Sequence, residues 1–146
     1  MSETKICDKF CFKSRVFVEN GNGELISMKN NLVVQTGLDL FAKNLEGDVS
    51  KIAQYIALGT GGAAPTLGDT ALMGEVSPRK IATVTRAANI LTFEATFLPG
   101  EATAIILEAG LLDSISGGVL VARANTGSYD KQALDTITVR WEITLG

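Results

Sequence analysis

The chain contains no histidine, two cysteines, three prolines, one tryptophan and two tyrosines. Without histidine it lacks the commonest general base, the usual imidazole metal ligand and the one side chain that titrates near neutrality. No catalytic activity and no cofactor are therefore expected. Two thiols without an imidazole make half a zinc site at best. The formal net charge is −3, with acids and bases interspersed, so the basic stripe that neutralises phosphates is missing and no nucleic-acid partner is expected. No apolar run approaches the ~18–20 residues that span a bilayer. The first ten residues, MSETKICDKF, hold no apolar stretch of a secretory signal. These two absences predict a chain made in a cytosol, with no membrane partner. Aromatics are also scarce. A glycosidase needs two carboxylates flanking a cleft beside a sugar platform, and Glu94, Glu101, Glu108 and Glu142 are expected to be structural instead.

What the chain does have is 146 residues, 46% of them hydrophobic, enough for one domain with its own core. Residues 101–125, EATAIILEAGLLDSISGGVLVARAN, organise it. They read as two apolar strands, 105–113 and 119–125, joined by a Ser/Gly turn at 114–118. Each arm carries one charge. A four-residue loop with Asp113 opposite Gly118 pairs Leu111 with Leu120, Ala109 with Ala122, and Glu108 with Arg123. An acid and a base then face each other across an otherwise apolar hairpin, fixing register more than adding stability.

Residues 9–19 alternate, with Phe10, Phe12, Val16 and Val18 on one side and Cys11, Lys13, Arg15 and Phe17 on the other. Apolar residues on both sides suggest an edge strand that another chain covers. The double Asn-Gly step at 20–23 predicts a hairpin turn and a return strand over 24–30. At 36–47 the period changes: Leu38, Phe41, Ala42 and Leu45 make one helical face, with Thr36 as cap, Asp39 in the first turn and Gly47 as stop. Leu38, Phe41 and Leu45 are the expected docking residues. Residues 54–59 read as a strand and 60–69 as a loop, with Asp69 capping one helical turn. Residues 79–86 and 90–98 read as a hairpin around Ala87 and Ala88, with Val84 opposite Leu91 and Ala82 opposite Phe93. A loop over 126–134 leads to an alternating strand at 136–145. About eight short strands and one short helix predict a mainly β protein, an antiparallel β-sandwich. Residues 1–8 form an N-terminal arm and 9–146 a single domain.

The segment GTGGAAP at 59–65 lacks the Lys-Ser/Thr pair and the βαβ context of a phosphate loop, and reads as a connection. Cys7 and Cys11, four apart in an extended stretch, lie about 13 Å apart, beyond the reach of a mutual disulfide. They are either two reduced thiols or an arm offering an inter-subunit disulfide to a neighbour.

Taken in order, NNLVVQTGLDLFAKNL, YIALGTG, DTALMGEV, ILEAGLL, GGVLVAR and ITVRWEITL resemble small virion structural proteins of tailed bacteriophages, of the tail-fibre, collar or decoration type. The resemblance covers residues 30–146. It implies a β-rich, non-enzymatic subunit, synthesised in the host cytoplasm and located in the virion. It also implies assembly into a symmetric homo-oligomer, a trimer or higher, in contact with other virion proteins. A receptor-binding module that recognises a host glycan or protein is the competing expectation.

Overall fold

A computed structural model describes residues 12–146. They form ten strands and one helix: β1 (Phe12–Asn20), β2 (Leu25–Asn30), β3 (Leu32–Val33), α1 (Gln35–Glu46), β4 (Tyr55–Gly59), β5 (Glu75–Ile81), β6 (Thr83–Ala87), β7 (Ile90–Phe97), β8 (Ala104–Leu112), β9 (Leu120–Lys131) and β10 (Ile137–Leu145). Two five-stranded antiparallel sheets result, β2-β1-β10-β7-β6 and β3-β9-β8-β4-β5. The expected sandwich is present, with ten strands rather than eight.

Alternation builds the interior. Val16 and Val18 of β1, Val139, Trp141 and Ile143 of β10, and Phe93 and Phe97 of β7 turn inward from the first sheet. They meet Ile56, Leu58, Ile106, Leu111 and Val121 of the second. The Trp141 indole N–H donates to Ser14 Oγ at 3.1 Å and Asn31 Oδ1 at 3.3 Å, so the largest buried side chain is also satisfied.

β1 is not an edge strand. β2 and β10 flank it, and Phe17 on its outer side lies under two guanidinium groups, Arg140 at 4.5 Å and Arg15 at 5.4 Å from the ring centroid. The described apolar residues on the two sides, Phe12, Val16 and Val18 on one and Phe17 on the other, are thus accommodated within one chain. The same outer face carries Arg15–Glu142 at 2.6 Å and Arg140–Glu19 at 2.8 Å, ion pairs open to water.

The turn at Asn20 forms as expected. The Asn20 Oδ1 accepts from the N–H of Asn22 and of Glu24, and Gly23 takes the positive φ. Residues 79–86 are not one strand. The chain leaves the second sheet at Ile81, turns at Ala82, whose N–H donates to Gln54 O at 2.8 Å, and enters the first sheet as β6. The β6–β7 turn centres on Ala88 and Asn89, which places Val84 opposite Phe93 instead of Leu91. Asn89 Nδ2 is held by Leu145 O at 2.8 Å, and this anchor selects the turn. The expected loop at 126–134 is largely strand, because β9 continues to Lys131 along β8.

Helix α1 has the predicted stop: Gly47 is left-handed and its N–H bonds Asn44 O, but the helix begins at Gln35, so Asp39 falls beyond its first turn. Its start differs. Val34 holds the capping position without a side-chain bond, and Thr36 Oγ1 donates to Leu120 O at 2.6 Å, tying the helix to β9. Gly37 lies against the Val121 backbone, where a Cβ would collide, so glycine here permits the close approach. Leu40 is buried, and Leu38 and Phe41 pack on the core. Leu45 is 80% exposed and does not dock the helix.

Candidate functional site

The outer face of the second sheet is not solvated. Residues 60–74 fold across it, and Leu72 packs with Val34, Ala57, Leu112 and Leu120 into a second, smaller core. Under this loop Arg123 Nε lies 2.8 Å from Glu108 Oε1, and the two side chains are 1% and 0% exposed. Glu108 and Arg123 therefore meet, although they are not directly opposite. Glu108 pairs with Asn125 and Arg123 with Gly110. The turn is one residue longer than expected, with the Asp113 N–H bonding Val119 O. A register shift between Leu111 and Leu112 adds one more residue on β9. One slip reverses the face and a second restores it, leaving acid and base as diagonal neighbours on one side.

Glu108 uses its whole accepting capacity. Oε1 accepts from Met73 N–H at 3.0 Å and from Arg123, and Oε2 accepts from Gly61 N–H at 2.8 Å and Gly74 N–H at 2.7 Å. Burial pushes this carboxyl upward, but the bonds from Met73, Arg123, Gly74 and Gly61 outweigh it and hold the pKa below the ordinary glutamate range. Arg123 reaches on to Asp69 Oδ2 at 3.3 Å and Gly61 O at 3.4 Å. Gly61 is consequently gripped at both its N–H and its carbonyl.

Two of the glycines of GTGG, Gly59 and Gly61, follow from this grip. A Cβ on Gly59 would lie 2.5 Å from Glu108 Oε2, and one on Gly61 2.7 Å from the same atom. The segment is a connection, as read from sequence, but a clamped one. Asp69 caps no helix. It accepts from Thr66 N–H at 3.0 Å and Thr66 Oγ1 at 2.8 Å, and those bonds, led by the backbone one, lower its pKa. Sequence reasoning missed Asp69, Gly59, Gly61, Met73 and Gly74 as members of this cluster. The available signal was a lone acid and a lone base in apolar strands, which need more partners than each other.

With every lone pair used and no exposed atom, Glu108 is arranged to hold a loop rather than to move a proton. Lys131 is also buried. It is 1% exposed, with Nζ on Leu98 O at 3.1 Å and Asp135 O at 2.8 Å, and burial lowers its pKa. Among the described residues no group of three or more Cys, Asp or Glu is placed to hold a metal ion.

Two concavities lined by described residues stand apart from this cluster. An apolar groove of about 330 Å³ opens at the end of the sandwich where β1 begins. Phe12, Phe41, Leu45, Ile52, Val84 and Leu91 are among its lining, and Asn44 is its single polar side chain. The Phe12 and Phe41 rings form one wall, 5.3 Å apart. Leu45, expected in the helix interface, belongs here instead. A polar cleft of about 410 Å³ lies between residues 49–55 and 113–116. Cys7 and Cys11 lie outside the described residues. No protein-family model matches the chain, and no curated protein or solved structure matches it significantly.

Proposed function

We propose that this chain is a non-catalytic structural subunit of a tailed-phage virion, placed in the tail, neck or collar, fibre or capsid surface. It acts by homo-oligomeric assembly and by attachment to other virion proteins. The observation that supports assembly is the state of one sheet edge. Of the four edge strands, β3 has two residues, β5 carries Pro78 among charged side chains, and β2 is bulged against β1 and bears Lys29. Each of these devices discourages pairing with a foreign strand. β6 has none of them. Its sequence is TVTRA, all five residues are exposed, and its single charge, Arg86, is turned back onto Ala88 O at 2.9 Å. A bare edge of this kind is a template for a strand of another copy. The virion assignment rests on the resemblance of the ordered segments between residues 30 and 146. The closed hydrogen-bond account of Glu108 supports a part that keeps its shape over one that turns over substrate.

Sedimentation velocity of the full chain and of a Thr83→Lys/Thr85→Lys variant tests the assembly. The expected result is a discrete oligomer that the two lysines reduce to a folded monomer. A wild-type monomer at tens of micromolar overturns self-assembly, and absence of the chain from purified particles overturns the virion assignment. A receptor-binding module is the second reading. It is favoured by the polar cleft, where Tyr55 shares one space with Ser50, Lys51, Gln54 and Ser114. Retention on host glycans that Tyr55→Ala abolishes would establish that reading instead.

A further inference from the structure

The bare edge of β6 has a definite hydrogen-bonding pattern. Leu145 N–H donates to Asn89 O at 2.9 Å, and β10 continues along β7 in that register, with Ile143 opposite Leu91 and Trp141 opposite Phe93. Alternation along an antiparallel strand then turns the peptide groups of Leu91 and Phe93 towards β10, and those of Ile90, Thr92 and Glu94 towards β6. Their partners on β6 are Ala87, Thr85 and Thr83. The turn agrees, since Ala87 and Ile90 flank its two central residues and bond across it. Val84 and Arg86 therefore point their backbone groups away from β7, and among the described residues β6 has no other strand neighbour. The edge presents two donors and two acceptors, alternating N–H and C=O from Val84 to Arg86.

We propose that this edge pairs antiparallel with β6 of a second copy, about a two-fold axis at Thr85. The inference rests on the assembly reading above and names its partner strand and its symmetry. Centring the pair on Thr85 sets Val84 of each copy opposite Arg86 of the other. Each such pair exchanges two hydrogen bonds, so the free N–H and C=O groups of Val84 and Arg86 are all used in both copies. Centring on Val84 instead would set Arg86 opposite Ala82, whose N–H is already given to Gln54 O. The side chains agree with the backbone. Arg86 is the one charge on β6, and it faces Val84 rather than its own counterpart, so no like charges are opposed. Thr85 meets Thr85, a favourable cross-strand pair. Val84 is 42% exposed at the rim of the apolar groove, and the aliphatic stem of the facing Arg86 covers it. The other edge of the same sheet is β2, bulged and bearing Lys29, which offers no matching template for a head-to-tail ring. The pair closes on itself. An assembly built through this edge is a pair or a multiple of pairs, not a three-fold ring.

Single cysteines placed on β6 of the full chain, in a Cys7→Ser/Cys11→Ser background, test the register. At the two-fold, Thr85 forms a non-hydrogen-bonded pair whose Cα atoms lie about 4.5 Å apart, within reach of a disulfide. Mild oxidation should convert most of a Thr85→Cys variant into a covalent dimer on a non-reducing gel. Thr83→Cys alone should run as a monomer, because Thr83 faces Ala87 of the second copy and the two Thr83 positions are about 13 Å apart. A mixture of Thr83→Cys and Ala87→Cys chains should link one to the other. Linking of Thr83→Cys alone as complete as that of Thr85→Cys overturns the register. A Thr85→Cys variant that sediments as an oligomer under reducing conditions but does not link on oxidation overturns the pairing and leaves the assembly reading standing. A wild-type chain that sediments as a monomer overturns both.

Discussion

The two outer faces of the sandwich carry the same chemistry in opposite settings. On the first sheet, Arg15 meets Glu142 at 2.6 Å and Arg140 meets Glu19 at 2.8 Å, with the Arg15 side chain 48% exposed. On the second sheet, Arg123 meets Glu108 at 2.8 Å with both side chains sealed beneath residues 60–74. Near-equal distances conceal unequal consequences. In water a cross-strand pair exchanges one set of hydrogen bonds for another and contributes about 0–1 kcal/mol. Under the loop the same contact has been stripped of water, and its value lies in what becomes of the partner left behind. Distance alone does not rank ion pairs; what covers them does.

Arg123→Met should break the comparison most severely. It leaves Glu108 buried without its base and frees Gly61 O and Asp69, for a loss of roughly 3–5 kcal/mol, or about 10 °C or more in Tm for a domain of this size. Calorimetry of the variant checks it, and a shift within two degrees would mean that the loop opens readily enough to hydrate the acid. The pH dependence should come next. The pKa of Glu108 is lowered in the folded state, so its contribution is complete above the unfolded value of about 4.3 and is lost as pH falls through the lower folded value. Wild type should therefore lose its stability advantage over Glu108→Gln in acid and keep it at neutral pH, as read from Tm series of both proteins between pH 2 and 7. Arg15→Met should have the smallest effect, at most about 1 kcal/mol. That small effect should shrink further in molar salt, whereas the Arg123 effect should persist, because buried pairs are screened much less.

The legible part of the fold was what alternation alone dictates. The 2.0 period gives β1 and β10 their inward faces, Asn20–Gly23 the first turn, and Gly47 the helix stop. Register was less accessible, because it depends on turn length and bulges that leave no compositional mark. The ion pair survived this only because its two errors were even in sum. The helical period correctly grouped Leu38, Phe41 and Leu45, but periodicity reports which residues share a face and not how far the covering sheet extends. Leu45 falls on the uncovered part of that face, 80% exposed at the groove. Least legible was the loop over the second sheet. Residues 60–74 have no period, and their placement comes from backbone N–H groups of Gly61, Met73 and Gly74, which every sequence possesses. The sheet change at Ala82 is equally silent, since a strand that changes sheets reads as one that continues.

The antiparallel pairing of β1 with β10 sets Phe12 directly across from Leu145. Both ends of the described chain therefore leave the same end of the same sheet, on neighbouring strands. A force that separates those two positions acts along the inter-strand hydrogen bonds and meets them one pair at a time, which makes the sandwich weak as a link pulled through Phe12 and Leu145. A load applied across the sheets is instead shared by whole ladders and by the core between them. The sandwich resists loads on its faces better than loads on these two strand ends, and a fusion that strings it between two partners by those ends would use it in its softest direction.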